Sequence, residues 1–377
     1  VMDGIEQAHG ERALFRAVSA WGVESVHDDL AVLDEPAFHA LVVTFEGRVT
    51  AARLRHVVHH EDRAWAGALE ARLGSDEPDH QASTVAQGAW STSLDRGAYE
   101  RGVAAIRDDI ARGRVYQVNL CRVLERDGAD GAERDDLDRL FADLLVDNPA
   151  PYACRIDVEG HVDIASASPE LFLAREGSAL TSAPIKGTAS TLERMLAKDA
   201  TENIMITDLV RNDLQRVCRP GTVSVDGLLE AQHHPGLVHL VSTVRGQMRD
   251  GVRWPEVFDA TFPPGSVSGA PKSSALDVIA ELETAPRGPY CGAIGWVDGT
   301  TGQAELAVGI RTFWRENGRE IHRNESASGP IVSGGVSFGA GAGITWDSDP
   351  GTEWHETELK ARRLLGIADG RHTRRNA

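Results

Sequence analysis

Strand-like runs in this chain follow one another directly instead of alternating with helices, and that order constrains the fold more than any other feature. Apolar, β-branched runs fall at 152–157, 161–166, 171–175 and 179–185, and again at 222–230, 237–247, 291–298, 304–314 and 331–337. Strict alternation would build βαβ units and a parallel sheet, whereas adjacency builds antiparallel or mixed sheets with helices packed outside. The predicted class is therefore α+β (mixed α/β). Tyr99, Val103, Ile106 and Ile110 recur at helical spacing, Gly113 ends the run, and Val115 to Leu124 reads as a strand. A long helix is predicted over 191–217, stopped by Arg219-Pro220-Gly221, with shorter ones near 254–261 and 271–283. A last helix, over 350–366, is opened by Ser348-Asp349-Pro350, a capping residue followed by proline in the first turn.

The 377 residues, 41% of them apolar, suffice for one large core or two fused subdomains. Residues 1–95 carry no pattern tied to chemistry and are expected to pack into the same fold as the region 96–367, while 368–377 reads as a basic, solvated tail. A net charge of -18 disfavours nucleic acid or an anionic membrane as the main partner, so a compact anionic substrate would need a locally positive pocket or a metal. Cys121, Cys154, Cys218 and Cys291 are scattered without a Cys-x-x-Cys pair, which suggests neither a zinc site nor a disulfide framework. With no export signal at the first residues and no apolar run long enough for a bilayer, the expected location is the cytoplasm.

Several residues are candidates for chemistry. Lys186 sits in Ala183-Pro184-Ile185-Lys186-Gly187-Thr188, where small and apolar neighbours could strip its hydration and leave a nucleophilic amine, and Gly187 lets backbone come close. A lone turn lysine is ordinarily solvated, so its neighbours must decide. Glu170 opens an apolar strand after Pro169 and could serve as a general acid if burial raises its pKa. Asp199 and Glu202 share one helix face, and Glu353 and Glu356 another, with Lys360 one turn on; two such pairs could be solvated faces or could meet as the all-oxygen site Mg²⁺ prefers. The run Gly339-Ala340-Gly341-Ala342-Gly343 follows a predicted strand and could offer bare N–H groups to an anion. Arg311 could grip a carboxylate in bidentate fashion, and His239 between two apolar residues reads as half-buried.

Taken in order, the segments 113–120 (Gly-Arg-Val-Tyr-Gln-Val-Asn-Leu), Ser168 to Phe172, Pro184 to Thr188, Lys198 to Asn203 continuing to Arg211-Asn212-Asp213, Ser268 to Lys272, Gly341 to Ile344 and Glu353 to Thr357 resemble the chorismate-utilising enzymes. The resemblance covers roughly 97–366 and implies two intertwined subdomains with large, mainly antiparallel sheets around a central cleft for chorismate and Mg²⁺. It implies Glu202 and Glu356 as direct metal carboxylates, with Asp199 and Glu353 acting through water. Arg311, Tyr290, Lys360 and the backbone at Gly341 and Gly343 would hold the substrate's carboxylates. Thr188, His239 and Ser266 would line the ring, and Glu170 would protonate the departing C4 hydroxyl.

Within the family the chain resembles most the aminodeoxychorismate (para-aminobenzoate) synthase component I branch. Water-using members are similar to one another in a lysine where this chain has Gln117, and an amide has no basic nitrogen to activate water. Lys186 stands where other branches have a small residue. The resemblance thus implies a covalent Lys186 adduct at C2 of chorismate, followed by ammonia at C4 to give 4-amino-4-deoxychorismate. No cysteine lies in a Gly-x-Cys-x-Gly setting, so a separate glutamine amidotransferase subunit is the expected ammonia source. A lyase leading to 4-aminobenzoate and folate, or an antibiotic pathway, would take the product. Alternatives are a synthase making anthranilate or 2-amino-2-deoxyisochorismate, a Schiff-base enzyme with pyridoxal phosphate on Lys186, or a non-catalytic chorismate-binding protein.

Overall fold

The computed structural model describes residues 11–60, 90–126, 135–189, 192, 197–234, 237–315 and 335–370. Among the described residues eighteen strands join in one sheet, and every strand pairing is antiparallel. In chain order they are β1 (Arg12–Leu14), β2 (Val18–His27), β3 (Phe38–Val43), β4 (Val49–His59), β5 (Ser91–Thr92) and β6 (Gln117–Arg126). Then come β7 (Tyr152–Val158), β8 (Val162–Ser168), β9 (Leu171–Glu176), β10 (Ala179–Ala183), β11 (Ile185–Ala189) and β12 (Ser224–His234). The last six are β13 (Leu237–Gln247), β14 (Gly269–Ala270), β15 (Ala293–Asp298), β16 (Gln303–Val308), β17 (Thr312–Arg315) and β18 (Val336–Ile344). The helices are α1 (Arg96–Ala111), α2 (Asp135–Asp147), α3 (Ala197–Gln215), α4 (Trp254–Thr261), α5 (Lys272–Leu282) and α6 (Pro350–Ala368). The mainly antiparallel sheet read from strand adjacency is borne out, and no described helix is long and apolar enough to cross a membrane.

Helix starts follow local chemistry. Asp95 caps α1 by accepting from the Ala98 amide at 2.7 Å, and Asp349 caps α6 by accepting from the Thr352 amide at 2.9 Å ahead of Pro350. Each helix then buries an apolar face on the sheet. Val210 and Leu214 of α3 join Trp254 and Phe258 of α4 over Phe172. Leu137, Phe141 and Leu144 of α2 meet Leu364 of α6 over Phe313 and Phe338, and Tyr99, Val103 and Ile106 of α1 meet Ala275 and Val278 of α5 over Leu120. Fully burying one such leucine or phenylalanine is worth about 1.5–3 kcal/mol.

Four differences from the sequence expectations have physical causes. The strands β1 to β4 lie in the stretch 1–95 that carried no pattern: β1 pairs with β7, and β3, buried along its whole length, pairs with β15. The run at 179–185 is broken between β10 and β11 at Pro184, which cannot donate to a ladder. The run at 304–314 is broken into β16 and β17 at Arg311, whose φ is +52°. The glycine run expected to follow a strand lies inside β18, described from Val336 to Ile344; residues 331–334 of the strand expected at 331–337 lie outside the described residues.

A buried charge network pins one end of the sheet. Arg155, fully buried in β7, contacts Asp138 of α2 at 2.7 Å and Asp163 of β8 at 2.7 Å. Arg12 of β1 also binds Asp138, and Arg315 of β17 lies 3.7 Å from Asp163.

Candidate active site

Period-two alternation sets up the site. On β18, Phe338, Ala340, Ala342 and Ile344 face apolar core, which turns Gly339, Gly341 and Gly343 to the other face. The register with β6 sets Gly343 opposite Asn119 and Gly341 opposite Cys121. The Asn119 amide donates to the Ser268 carbonyl and the Cys121 amide to the Glu283 carboxylate, both at 2.8 Å and both away from β18. Gly343 and Gly341 therefore form non-hydrogen-bonded pairs with β6, and their N–H groups point to the opposite edge of β18. Among the described residues that edge is paired with β17 only at Ser337 and Phe338. Extending the register by two residues would set Arg311 opposite Ala340, but the chain turns away there in a left-handed conformation. The opened edge carries Lys360, whose ammonium donates to the Gly341 carbonyl at 3.0 Å and pairs with Glu356 at 2.7 Å.

Lys186 reaches the other side of this strand from a β-bulge. Between Ile185, opposite Val241, and Thr188, opposite His239, β11 has one residue more than β13, and Gly187 takes φ +83°. Such a bulge re-aims the side chain it carries, and the left-handed φ selects glycine. A methyl placed on Gly343 would stand 3.6 Å from the Lys186 amine and 2.5 Å from the Gln117 amide nitrogen, so all three residues converge. Gln117 is 1% exposed, and its Oε1 has no hydrogen-bond partner among the described residues.

Glu170 lies beside Lys186 and is 4% exposed. Burial pushes its pKa up to about 7, against the opposing pull of Ser266, Lys186 and the Ile185 amide. Its backbone is held by Ser168, whose hydroxyl donates to the Val308 carbonyl at 2.6 Å, and by the Val308 amide, which donates to the Glu170 carbonyl at 3.0 Å. The position thus places a carboxyl that keeps a share of its proton near neutral pH within electrostatic reach of an amine.

The remaining candidates border this centre. His239 is buried on β13 opposite the backbone of Thr188, whose side chain lies outside the described residues. Tyr290 is buried with its ring against Gly339 and its hydroxyl at Cys121; burial and the Cys121 and Cys291 thiols push its pKa well up. Arg311 has no carboxylate partner among the described residues, and burial, with Arg363 nearby, draws its pKa down. A half-buried, unpaired guanidinium is a demand for an anion.

The four carboxylates proposed for Mg²⁺ come from two helices. Asp199 and Glu202 lie in the first turns of α3, which packs on β11 and β13; Glu353 and Glu356 lie in the first turns of α6, which packs on β18. Glu353 is buried and accepts from the Ser348 hydroxyl at 2.6 Å. Among the described residues no three His, Cys, Asp or Glu side chains form a ready cage. Mg²⁺ commonly takes only one or two protein carboxylates and completes its octahedron with water and substrate, so an all-oxygen donor set on two helices, one packed on the Lys186 strand and the other on β18, suits it chemically.

Two groups of residues were not given roles from sequence. Asn203 donates to the Leu240 carbonyl at 2.9 Å and accepts from Ser242, fixing α3 to β13 next to Glu202. Buried Asp213 and half-buried Lys272 form an ion pair at 2.7 Å. Both lie in motifs quoted above, which was the available signal.

A model of the chorismate binding enzyme family matches residues 24–366. The chain is 36% identical over 288 residues to anthranilate synthase component 1 of Streptomyces coelicolor, covering 73% of this chain and 52% of that protein. It is 31% identical over 338 residues to aminodeoxychorismate synthase component 1 of Escherichia coli, covering 86% of this chain and 68% of that protein. The chain thus spans about half the length of the first relative and two thirds of the second. The crystal structure of anthranilate synthase component I from Streptococcus pneumoniae shares its fold, with a TM-score of 0.70 at 23% identity over 94% of this chain and 92% of that one. With a matching family model across most of its length, this chain belongs to the chorismate-binding enzymes.

Proposed function

We propose that the chain acts as an aminodeoxychorismate synthase component I, converting chorismate and ammonia to 4-amino-4-deoxychorismate. The observation that carries this reading is the convergence of Lys186 with Gln117 over Gly343, beside the buried carboxyl of Glu170. The Lys186 lone pair forms a bond to C2 as the ring double bond shifts. The C4–O bond breaks, and the hydroxyl leaves as water with the Glu170 proton. Ammonia then bonds to C4, the double bond shifts back, the C2–N pair returns to Lys186, and the proton shed by ammonia reloads Glu170. Two substitutions replace one direct displacement at C4. Arg311, Lys360 and the outward N–H groups of Gly341 and Gly343 would hold the carboxylates, with Tyr290, His239, Thr188 and Gly187 around them. Glu202 and Glu356 would hold Mg²⁺, with Asp199 and Glu353 through water, and the bound ion would anchor a substrate carboxylate electrostatically.

The ammonia donor is proposed to be a separate glutamine amidotransferase subunit. All four cysteines are buried, and burial raises the thiol pKa of Cys121 and Cys218 and that of Cys154 to about 12, which suits none of those three as a glutaminase nucleophile. A second reading, anthranilate synthesis, draws on the 36% identity to the Streptomyces coelicolor protein. Mass spectrometry of products from chorismate, Mg²⁺ and ammonium separates the two. The expected product is 4-amino-4-deoxychorismate, absent without ammonium, lost with EDTA and restored by Mg²⁺; anthranilate with pyruvate would establish the second reading.

A further inference from the structure

The Asp213–Lys272 ion pair is the strongest feature near the site that the chemistry above leaves unused. Asp213 is 6% exposed near the end of α3, and Lys272 opens α5. The Lys272 ammonium donates to Asp213 Oδ2 at 2.7 Å and to the Thr261 carbonyl at 2.9 Å. Thr261 is the last residue of α4, and Arg216, in the turn just after α3, donates to the preceding carbonyls of Asp259 and Ala260 at 3.2 and 3.1 Å. Two cations thus cap the C-terminus of α4, where unsatisfied carbonyls gather negative charge. The chain leaving that cap runs through Pro264 and Gly265 to Ser266, the residue that hydrogen-bonds Glu170. Gly265 packs so closely on α3 that an added methyl would stand 2.6 Å from Leu209. Asp213, Thr261, Gly265, Ser266 and Glu170 all line one partly open pocket, otherwise walled mainly by apolar side chains.

We infer that Lys272 is a positioning residue for the general acid: its ammonium, seated on an acceptor oxygen of Asp213 and tied to the Thr261 carbonyl, holds the 261–266 turn where the Ser266 hydroxyl reaches Glu170. The inference rests on Glu170 acting as the acid. Lys186 on β11 is the charged side chain that acts on Glu170 directly. Asp213 lines the pocket from α3, with Lys272 and Arg216 behind it. The Ser266 bond favours the ionised carboxylate, so its loss raises the Glu170 pKa and moves the alkaline limb of the rate profile to higher pH.

The test compares pH profiles of kcat/KM and thermal melts for Lys272→Met, Asp213→Asn, Ser266→Ala and the Ser266→Ala/Lys272→Met double variant. Lys272→Met loses the Thr261 tether, and its alkaline limb moves up by about 0.5–1 pH unit, the size of one hydrogen bond. Ser266→Ala moves it by the same amount, and the double variant moves it no further. Asp213→Asn keeps the acceptor for Lys272 and leaves the limb in place. Should Lys272→Met fail to fold, Asp213→Leu/Lys272→Met removes both charges and the tether together, and the same shift is expected. An unmoved limb with only a lowered melting temperature, an additive shift in the double variant, or a shift in Asp213→Asn would overturn the inference. Wild-type rates in Glu170→Gln would instead overturn the general-acid reading on which it rests.

Discussion

Replacing Gly343 by alanine inserts a methyl at the point where Lys186 and Gln117 meet. That methyl stands 2.5 Å from the Gln117 amide nitrogen, 3.6 Å from its Cδ and 3.6 Å from the Lys186 amine. Ordinary contact begins near 3.4 Å, so the amide must withdraw by about 1 Å while the lysine is only grazed. Gln117 is 1% exposed and cannot withdraw into solvent, so local overpacking should cost about 1–3 kcal/mol of stability. A displacement of that size next to reacting atoms can cost about 10²-fold in rate. Gly343→Ala should therefore fold with a melting temperature lowered by only a few degrees and lose roughly 10- to 100-fold in kcat/KM for amination, followed by chorismate consumption. Gly295→Ala is the contrast: its methyl would lie 2.0 Å from the Glu305 carbonyl of the paired strand, so stability falls first. Folded Gly343→Ala with unchanged kcat/KM would refute the convergence on which the proposed chemistry stands.

Lys186→Ala should abolish amination, and Lys186→Arg should not rescue it, because a guanidinium stays protonated; product formation by either variant, measured by mass spectrometry, would rule out the covalent route. Glu170→Gln should lower kcat by about 10²–10⁴-fold. In the wild type the acid must carry its proton, so activity should fall as pH rises through about 7, and a flat profile from pH 6 to 9 would argue against Glu170 as the acid. Arg311→Lys should raise KM for chorismate by about tenfold or more with a smaller change in kcat, since a charge-assisted carboxylate contact is worth about 1.5–3 kcal/mol. Arg155→Met leaves Asp138 and Asp163 without their main cation and should cost about 3–5 kcal/mol in denaturant unfolding, with the residual activity of the folded fraction unchanged.

Most of what the sequence made legible was local. The α4 and β13 boundaries, the Asp349 cap of α6 and the glycine after Lys186 follow from capping, periodicity and left-handed φ, all of which act within a few residues. Helix α2 was not read from the sequence: Leu137, Phe141 and Leu144 keep helical spacing, but a strongly acidic context obscures them. The Gly339–Gly343 run was ambiguous for a different reason. Glycine and alanine present no amphipathic pattern, so only pairing with the distant β6 makes that segment a strand. The same limit hid the Lys272–Asp213 contact, which joins residues 59 positions apart, and the opened edge of β18, which depends on where β17 departs.

The pairing of β3 with β15 has a consequence for how the protein is made. Phe38–Val43, buried along its whole length in the finished molecule, leaves the ribosome long before Ala293–Asp298 can cover one of its edges. During translation it is an apolar segment with one hydrogen-bonding edge unsatisfied, the kind that recruits neighbouring chains. Strand partners this far apart in sequence also make for slow folding. Yield of active protein should therefore depend on holding nascent chains apart, through slower translation, lower temperature or chaperone capacity, more than on the stability of the completed sheet.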